Sequence, residues 1–358
     1  MAEQVADSAG VSRSTISRVV NRPDLVSPET LKAVHLAAKS LKVDLSKRSR
    51  RGRPPKLNSL NGTRQIGFWF VGTSEDEASR FLSQQISPLQ AACRKNALGV
   101  RILFPTAGEQ IPSAILRREV CGVILEGVQP AREILDAMAG LPTVWVMTRK
   151  AADYSGDFVE PDNTANGHLA ADYLLGKGHR RVAYVTTEPD YPAFLAREGA
   201  FQERITRSGG FLARITALSH LSNIHMLPDP TDELGTEMAG RLLSELGDRG
   251  AIYMPGNLAL GPLHRGLRRH GVDPARFDWV VGHYTPSLHA QFDPEPAAID
   301  IHVGTIIEAA VQTLMWRISS PELSGRVGIQ VAPSLRLPSV IATTTPWQRV
   351  PSSLSPIT

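Results

Sequence analysis

Cysteine, long apolar runs and catalytic signatures are all scarce in this chain, and each scarcity removes a class of function. Only two cysteines, Cys93 and Cys121, occur among 358 residues. They are too few for a disulfide framework, and both lie in apolar stretches that suit reduced core positions. No run of about 18 apolar residues exists, so no membrane-spanning helix is expected. The opening Met1-Ala2-Glu3-Gln4-Val5-Ala6-Asp7-Ser8 has neither the basic start nor the apolar core of a secretory signal, and a cytoplasmic protein is expected. There is no Gly-rich loop closing on Gly-Lys-Ser/Thr, no His-Glu-x-x-His and no Gly-x-Ser-x-Gly. Gly176-Lys177-Gly178-His179 follows a helical stretch instead of opening one, which places its amides badly for a phosphate. The ten histidines are scattered, without metal-ligand spacing to a Cys or carboxylate. No catalytic residue, metal or cofactor is expected.

Charge is present but unevenly placed. The chain holds 39 Lys+Arg against 35 Asp+Glu, a net +4. Residues 1–60 take twelve of the bases and five of the acids, a local +7, which leaves the remainder at −3. A basic head on a mildly acidic body points to nucleic acid, or another anionic surface, as the head's partner.

Residues 1–45 read as three short helices. The first, about Glu3 to Ser8, buries Val5 and Ala6; Gly10 then allows a tight turn and Ser12 supplies a cap. In the second, about Arg13 to Val20, Ile16, Val19 and Val20 share one face, leaving Arg13, Ser14, Ser17 and Arg18 on the other. Ser27-Pro28-Glu29-Thr30 signals the start of the third, with cap, proline and acid in order. Two helices across a Gly turn, braced by a third, make the helix-turn-helix plan. Residues 46–62 form a linker that carries six bases between Lys47 and Lys56, where Pro54 and Pro55 forbid a helix. From residue 63 to about 345, apolar strands alternate with amphipathic helices, which predicts a parallel, doubly wound α/β sheet with enough chain for two lobes. Strands are predicted at 65–71, 100–104, 122–125, 143–147, 181–186, 251–254, 278–281 and 297–301. Helices are predicted at 131–139, 164–176, 197–207, 233–246, 257–269 and 304–318. Residues 346–358 read as a flexible tail.

The pattern Val5-Ala6-x-x-Ala9-Gly10-Val11-Ser12-x-x-Thr15-Ile16-Ser17-Arg18-Val19-Val20-Asn21, followed by Val26-Ser27-Pro28-Glu29-Thr30, resembles the DNA-binding head of the lactose-repressor (LacI/GalR) family. That resemblance implies that the second helix enters the major groove of a double-stranded operator. Arg13 and Ser14 then fall where the family reads base edges, Ser12, Thr15, Ser17 and Asn21 hold phosphates, and Arg18 assists readout. The chemistry is compatible: a guanidinium presents paired donors to guanine O6 and N7, and small hydroxyls reach phosphates. Further on, Asp162-Asn163-x-x-Asn166-Gly167-x-x-Ala170-x-x-Tyr173-Leu174-Leu175-x-x-Gly178-His179-Arg180-Arg181-Val182-Ala183 and Arg197-x-x-Ala200-Phe201 look like the family's body, with Ala200 replacing a usual glycine. By resemblance the body has two lobes of periplasmic-binding-protein type I around a small-molecule cleft. The first lobe falls at about 63–160 and 293–320, the second at about 161–292 and 326–345. The implied protein is a homodimeric, sequence-specific transcriptional repressor. A solute-binding protein and an effector-independent architectural DNA binder are the rival readings.

Within that resemblance Arg197 matches an effector-clamping arginine, a plain helix arginine being the bland reading. Asp162 and Asn163 fit helix capping, and His179 a helix end. Departures from the family are as informative as matches. Pro255-Gly256-Asn257-Leu258 and Gly282-His283-Tyr284-Thr285 replace acidic motifs, and Met147 stands where a sugar-binding Asp or Asn is common. The cleft, with Met147, Arg197, Asn257 and Tyr284 facing it, is therefore expected to be more apolar and less acidic. The effector is then anionic or partly apolar, or effector control has been lost. In the linker, Ser49 and Gly52 stand at the family's hinge-helix positions, and Leu41-Lys42-Val43 replaces Leu-Gly-Tyr. Arg51-Gly52-Arg53-Pro54 instead resembles an AT-hook core, with Arg51 and Arg53 fit for a narrow minor groove. A basic tether touching only phosphates is the other reading of this segment.

Overall fold

Helix signals at the N-terminus translate directly into structure. The computed structural model describes residues 2–21, 26–41, 64–72, 75–104, 110–128, 130–147, 154–216, 231–322 and 324–338, and the chain divides into two units, Met1–Lys56 and Leu57–Thr358. The first unit holds α1 (Ala2–Ser8), α2 (Arg13–Asn21) and α3 (Pro28–Ser40). Gly10 turns the chain at φ +66°, a conformation that costs glycine nothing. The Ser12 hydroxyl accepts from the Thr15 amide at 3.2 Å, and Ser27 accepts from Thr30 at 3.3 Å. Each serves a helix start whose first amides lack partners inside the helix. Val5, Ile16, Val19 and Val34 are buried together with Ala6, Ala37 and Ala38. At about 1.5 kcal/mol or more for each large side chain, this cluster holds the small unit together.

In the second unit strands and helices alternate along most of the chain. Along the chain run β1 (Arg64–Val71), α4 (Glu75–Lys95), β2 (Leu98–Leu103), α5 (Ser113–Leu116), β3 (Val123–Gly127), α6 (Arg132–Ala137), β4 (Thr143–Val146) and β5 (Asp157–Pro161). Then follow α7 (Asn163–Gly176), β6 (Arg181–Thr186), α8 (Pro192–Arg207), β7 (Phe211–Thr216), α9 (Asp232–Leu246), β8 (Gly250–Met254), α10 (Leu260–Arg269) and β9 (Phe277–Val281). The last elements are α11 (Pro286–His289), β10 (Ala297–Asp300), α12 (Val303–Ser319), β11 (Gly328–Val331) and β12 (Ser334–Arg336). Two six-stranded sheets result, ordered β11-β5-β4-β3-β1-β2 and β12-β10-β9-β8-β6-β7. All pairings are parallel except β10 with β12. These are the expected two-lobed, doubly wound body and, earlier in the sequence, the helix-turn-helix head.

Strands covered on both faces read as continuous apolar runs, and β1 is the clearest case. Ile66, Phe68 and Phe70 pack with α4 and α12 residues such as Leu89 and Val311, while Trp69 and Val71 join Trp145 and Ile115 on the other face. Sheet membership differs from the expected lobe boundaries at the C-terminal crossings. The resemblance places residues 293–320 in the first lobe, yet β10 pairs with β9 in the second sheet. It places residues 326–345 in the second, yet β11 pairs with β5 in the first. The chain therefore crosses between lobes after Pro161, around Ile301 and His302, and between Val331 and Ser334. Hydrophobic patterning finds strands but says nothing about which sheet recruits them. Among the described residues no helix is long and apolar enough to cross a membrane, and no three His, Cys, Asp or Glu side chains are grouped to hold a metal ion.

Helices α9 and α10 touch backbone to backbone. A Cβ on Gly266 would lie 2.2 Å from the Gly235 carbonyl oxygen, and one on Gly235 would lie 2.2 Å from that of Pro262. Neither obstacle is a flexible side chain, so Gly266→Ala must push the helices apart. We expect a loss of about 1–3 kcal/mol, typical of overpacking, read as a lower denaturant midpoint at unchanged slope. A midpoint equal to that of the unsubstituted protein would contradict the contact.

Candidate functional site

Two regions collect the functional residues. On the head, Ser12, Ser14 and Thr15 form a hydroxyl cluster at the start of α2, with Oγ–Oγ and Oγ–Oγ1 distances of 2.7 and 2.9 Å. Ser12, Ser14 and Arg18 are exposed, and Thr15 is half-buried. Ile16 and Val19 turn the opposite side of the helix into the core. Arg13, Ser17 and Asn21 belong to the same helix, although their side chains lie outside the described residues. Arg51 and Arg53, with the rest of the linker, also lie outside them, as does the 346–358 tail.

The body encloses a cavity of about 320 Å³ between its lobes, at the carboxyl ends of the strands, where open α/β sheets bind ligands. From the first lobe, Phe70 and Glu126 are the next-to-last residues of β1 and β3, and Met147 follows β4; Gln84 and Gln85 reach in from α4. The Gln85 amide donates to Glu126 Oε1 at 3.0 Å, with both residues buried. Met147 adopts φ +63°, and its amide donates to the Val159 carbonyl at 3.0 Å.

The second lobe supplies most of the donors. Arg197, near the middle of α8, is 4% exposed. Its Nε donates to Asn163 Oδ1 at 2.9 Å, and Nη1 donates to the carbonyls of Pro255 and Gly282, the latter at 3.0 Å. Burial lowers the Arg197 pKa, with Tyr253, Tyr191 and Tyr184 pulling it back up. Asp162 caps α7 by accepting from the Ala165 amide at 2.8 Å. Asn163 thus serves the Arg197 guanidinium as well as opening a helix. Asn166 extends this buried network, donating to the Gly282 carbonyl at 2.9 Å and accepting from the Tyr253 hydroxyl at 2.7 Å.

One hydroxyl ties the lobes. Thr285 Oγ1 accepts from Gln84 Nε2 of the first lobe at 3.1 Å and from Asn257 Nδ2 of the second at 2.9 Å. The Thr285 amide donates to Nδ1 of His289 at 3.3 Å. His289 is fully buried, and burial pushes its pKa down to about 4. His283, which lines the cavity, is pushed down to about 4 by burial, then by the charge of Arg197 and by His289. Both rings are therefore neutral at pH 7.

Of the four predicted effector residues, Met147, Arg197 and Asn257 meet at this cavity. Tyr284 does not. His283 and Thr285 line the cavity, while the Tyr284 ring between them stacks on His289 at 5.4 Å, beside the Arg336 guanidinium at 5.5 Å. The expectation of a cleft short of carboxylates is also corrected, because Glu126 and Glu188 are both in its lining. Sequence reasoning missed Gln84 and Gln85, which lie on an unpredicted helix. Glu126 lies one position past the predicted strand 122–125, inside β3 as it forms. Residues just past strand ends were the signal that pointed there.

Comparisons with known proteins agree with this geometry. The family model described as "Bacterial regulatory proteins, lacI family" matches residues 3–42, and that for a "Periplasmic binding protein-like domain" matches residues 171–336. The ribose operon repressor of Escherichia coli (strain K12) is 25% identical, over 93% of this chain and 97% of its own length. The HTH-type transcriptional repressor PurR of Vibrio atlanticus is 24% identical, over 91% and 94%. Among solved structures, a transcriptional regulator CelR–cellobiose complex superposes with TM-score 0.61 at 21% identity, covering 94% of this chain and 98% of that one. The lac repressor dimer bound to operator and an anti-inducer gives 0.58 at 17%, covering 93% and 96%. The chain thus carries a lacI-type DNA-binding head and a periplasmic-binding-protein-like domain, and its relatives, aligned along nearly its whole length, are transcriptional repressors and regulators.

Proposed function

We propose that this DNA-binding transcriptional regulator acts as a dimeric repressor whose operator affinity is set by a small polar molecule held between the two lobes. The observation that carries the effector half is the cavity itself. It draws walls from both lobes, and the Gln84–Thr285–Asn257 bridge joins them, so an occupant changes the free energy of the lobes' relative arrangement. A ligand shifts such an equilibrium only by its differential affinity for the two arrangements. Linkage then requires ligand and operator to change each other's affinity by the same factor. The CelR structure contains cellobiose, and a lacI-family regulator from Enterococcus faecium, similar at TM-score 0.59 and 17% identity, contains ribose. Carbohydrate-derived compounds are accordingly the first class to screen. The proposed activity is coupling in the cytoplasm, without a catalysed reaction.

For the head, the proposal keeps Arg13 and Ser14 as base readers, assisted by Arg18, and Ser12, Thr15, Ser17 and Asn21 as phosphate contacts. Footprinting of the protein's own upstream region, repeated with a panel of sugars and sugar acids, tests the whole reading. A pseudo-palindromic footprint that one compound weakens or strengthens supports it; a footprint indifferent to every compound removes the effector half. For the linker, Arg51→Ala combined with Arg53→Ala is expected to weaken binding most at operators with an A·T centre. Equal weakening at G·C-centred operators would make the segment a plain tether.

A further inference from the structure

The crossings at residues 301–302 and 331–334 are tied to each other by side chains. His302 Nε2 and the Ser334 hydroxyl are hydrogen-bonded at 3.0 Å. The His302 amide donates to Asp300 Oδ1 at 2.8 Å, and Asp300 Oδ2 accepts from the Arg336 guanidinium at 3.1 Å. A main-chain bond joins the remaining crossing to this pair, the Asp162 amide donating to the Val331 carbonyl at 2.9 Å.

His302 sits at φ +56° and ψ +55°, in the left-handed region that a residue with a Cβ rarely takes. Four non-glycine residues among those described have positive φ: Ala97, Arg118, Met147 and His302. Ala97 and Arg118 turn the chain behind α4 and α5, and Met147 follows β4; His302 alone of the four lies on a crossing. It also belongs to both lobes. Its carbonyl accepts from the Ile306 amide at 3.0 Å and so opens α12, whose Ile306, Ile307 and Val311 pack with Ile66 and Phe68 of the first lobe. Its ring holds Ser334 of β12, which pairs with Asp300 of β10 in the second sheet. Turning one lobe against the other must therefore rotate the His302 backbone or break the bond to Ser334. Hinges concentrate such rotation at a few residues where elements end, and an unfavourable backbone conformation persists only where its surroundings hold it.

We propose that His302 is a loaded hinge pin. The bond from its ring to Ser334, with Asp300 gripping its amide, keeps the backbone in a costly conformation and thereby holds the lobes in their present arrangement. Releasing the ring lets residue 302 relax and tilts the lobes toward a second arrangement. The chain thus carries its own bias on the lobe equilibrium, apart from anything bound in the cavity. The consequence for DNA rests on the reading above, in which lobe arrangement sets operator affinity.

Hydrogen exchange of the ligand-free full chain, read by mass spectrometry on peptides spanning the three crossings, tests the pin. Ser334→Ala should speed exchange at all three by about fivefold, as the loss of one hydrogen bond allows, with β1 and β6 unchanged. Adding His302→Gly removes the strain that the lost bond opposed, because glycine takes positive φ freely. Exchange in the double variant should therefore return toward that of the unsubstituted chain. Asparagine also tolerates this conformation, so His302→Asn in the Ser334→Ala background should give the same rescue if glycine loosens the segment by itself. Anisotropy on a duplex enriched by the chain from a random library should show operator affinity shifting by a similar factor in Ser334→Ala and returning with the rescue. Unchanged exchange, a rise confined to the segment around residue 334, or damage that both second substitutions deepen, overturns the pin. Exchange that follows the expected pattern while operator affinity stays fixed upholds the pin and removes the reading that lobe arrangement controls DNA binding.

Discussion

Arg13→Ala should weaken binding to a two-half-site operator by several hundredfold and blur sequence preference at one base pair in each half-site. A good bidentate contact between arginine and guanine discriminates by about 1–3 kcal/mol, and a dimer makes the contact twice. Arg13 is the first residue of α2, directly after the Ser12 that accepts from the Thr15 amide. Recognition helices contact base edges with their N-terminal residues, and the proposal of Arg13 as a base reader rests on that position. A phosphate contact behaves differently. Ser12→Ala should weaken binding to specific and non-specific duplexes alike, by a smaller factor. Competition binding against single-base operator variants separates the two behaviours. If Arg13→Ala loses affinity equally on all sequences, Arg13 is a backbone contact and the assignment of readers on α2 must move.

Acid should destabilise the body steeply between pH 6.5 and pH 4. Histidine in an unfolded chain titrates near 6.5, whereas His283 and His289 are held down to about 4, by burial first of all. Below pH 6.5 the unfolded state therefore binds protons that the folded state refuses, and stability falls as pH falls. Each group contributes on the order of 3 kcal/mol once pH reaches the folded value. His289 matters more structurally. Its Nδ1 accepts from the Thr285 amide, and Thr285 accepts the Gln84 bond that crosses the cleft. Protonating Nδ1 removes that acceptor, so acid should loosen the lobe-bridging loop before it unfolds the sheets. His289→Asn keeps an acceptor for the Thr285 amide while removing the titration. Denaturant midpoints at pH 7.5, 6 and 4.5 should show a shallower pH slope for this variant, by about half. A slope equal to that of the unsubstituted chain would remove His289 from the acid lability.

How far the fold was legible depended on whether an element's burial showed in its own residues. The β1 and β6 runs, Ile66 to Val71 and Val182 to Thr186, are buried end to end and announce themselves. Strand β5 does not, because its buried positions include Asp157 and Glu160. The Asp157 carboxylate is satisfied by a two-pronged bond from Arg317 at 2.7 and 2.8 Å, a partner 160 residues away. Helix α4 was hidden by the charges of its first turn and by Pro88 in its interior, and with it went Gln84 and Gln85. Strands β11 and β12 are short and half-exposed, and only the crossings fix which sheet each joins. At the cavity, Met147, Arg197 and Asn257 were recoverable because they sit at element ends or in a recognisable register. Tyr284 is misplaced by sequence because it lies between His283 and Thr285, the two residues whose side chains take the cavity side, while its own ring packs on His289.

The central claim is that this chain reads one DNA sequence as a symmetric pair of half-sites, and equilibrium selection from a random duplex library measures it most directly. The enriched duplex should be a pseudo-palindrome. In fluorescence anisotropy at physiological salt it should bind the full chain at least about 10³-fold tighter than a scrambled duplex of equal composition. An enriched pool without a shared motif, or an affinity ratio near one, would contradict the account and leave only a basic protein that binds DNA for its charge.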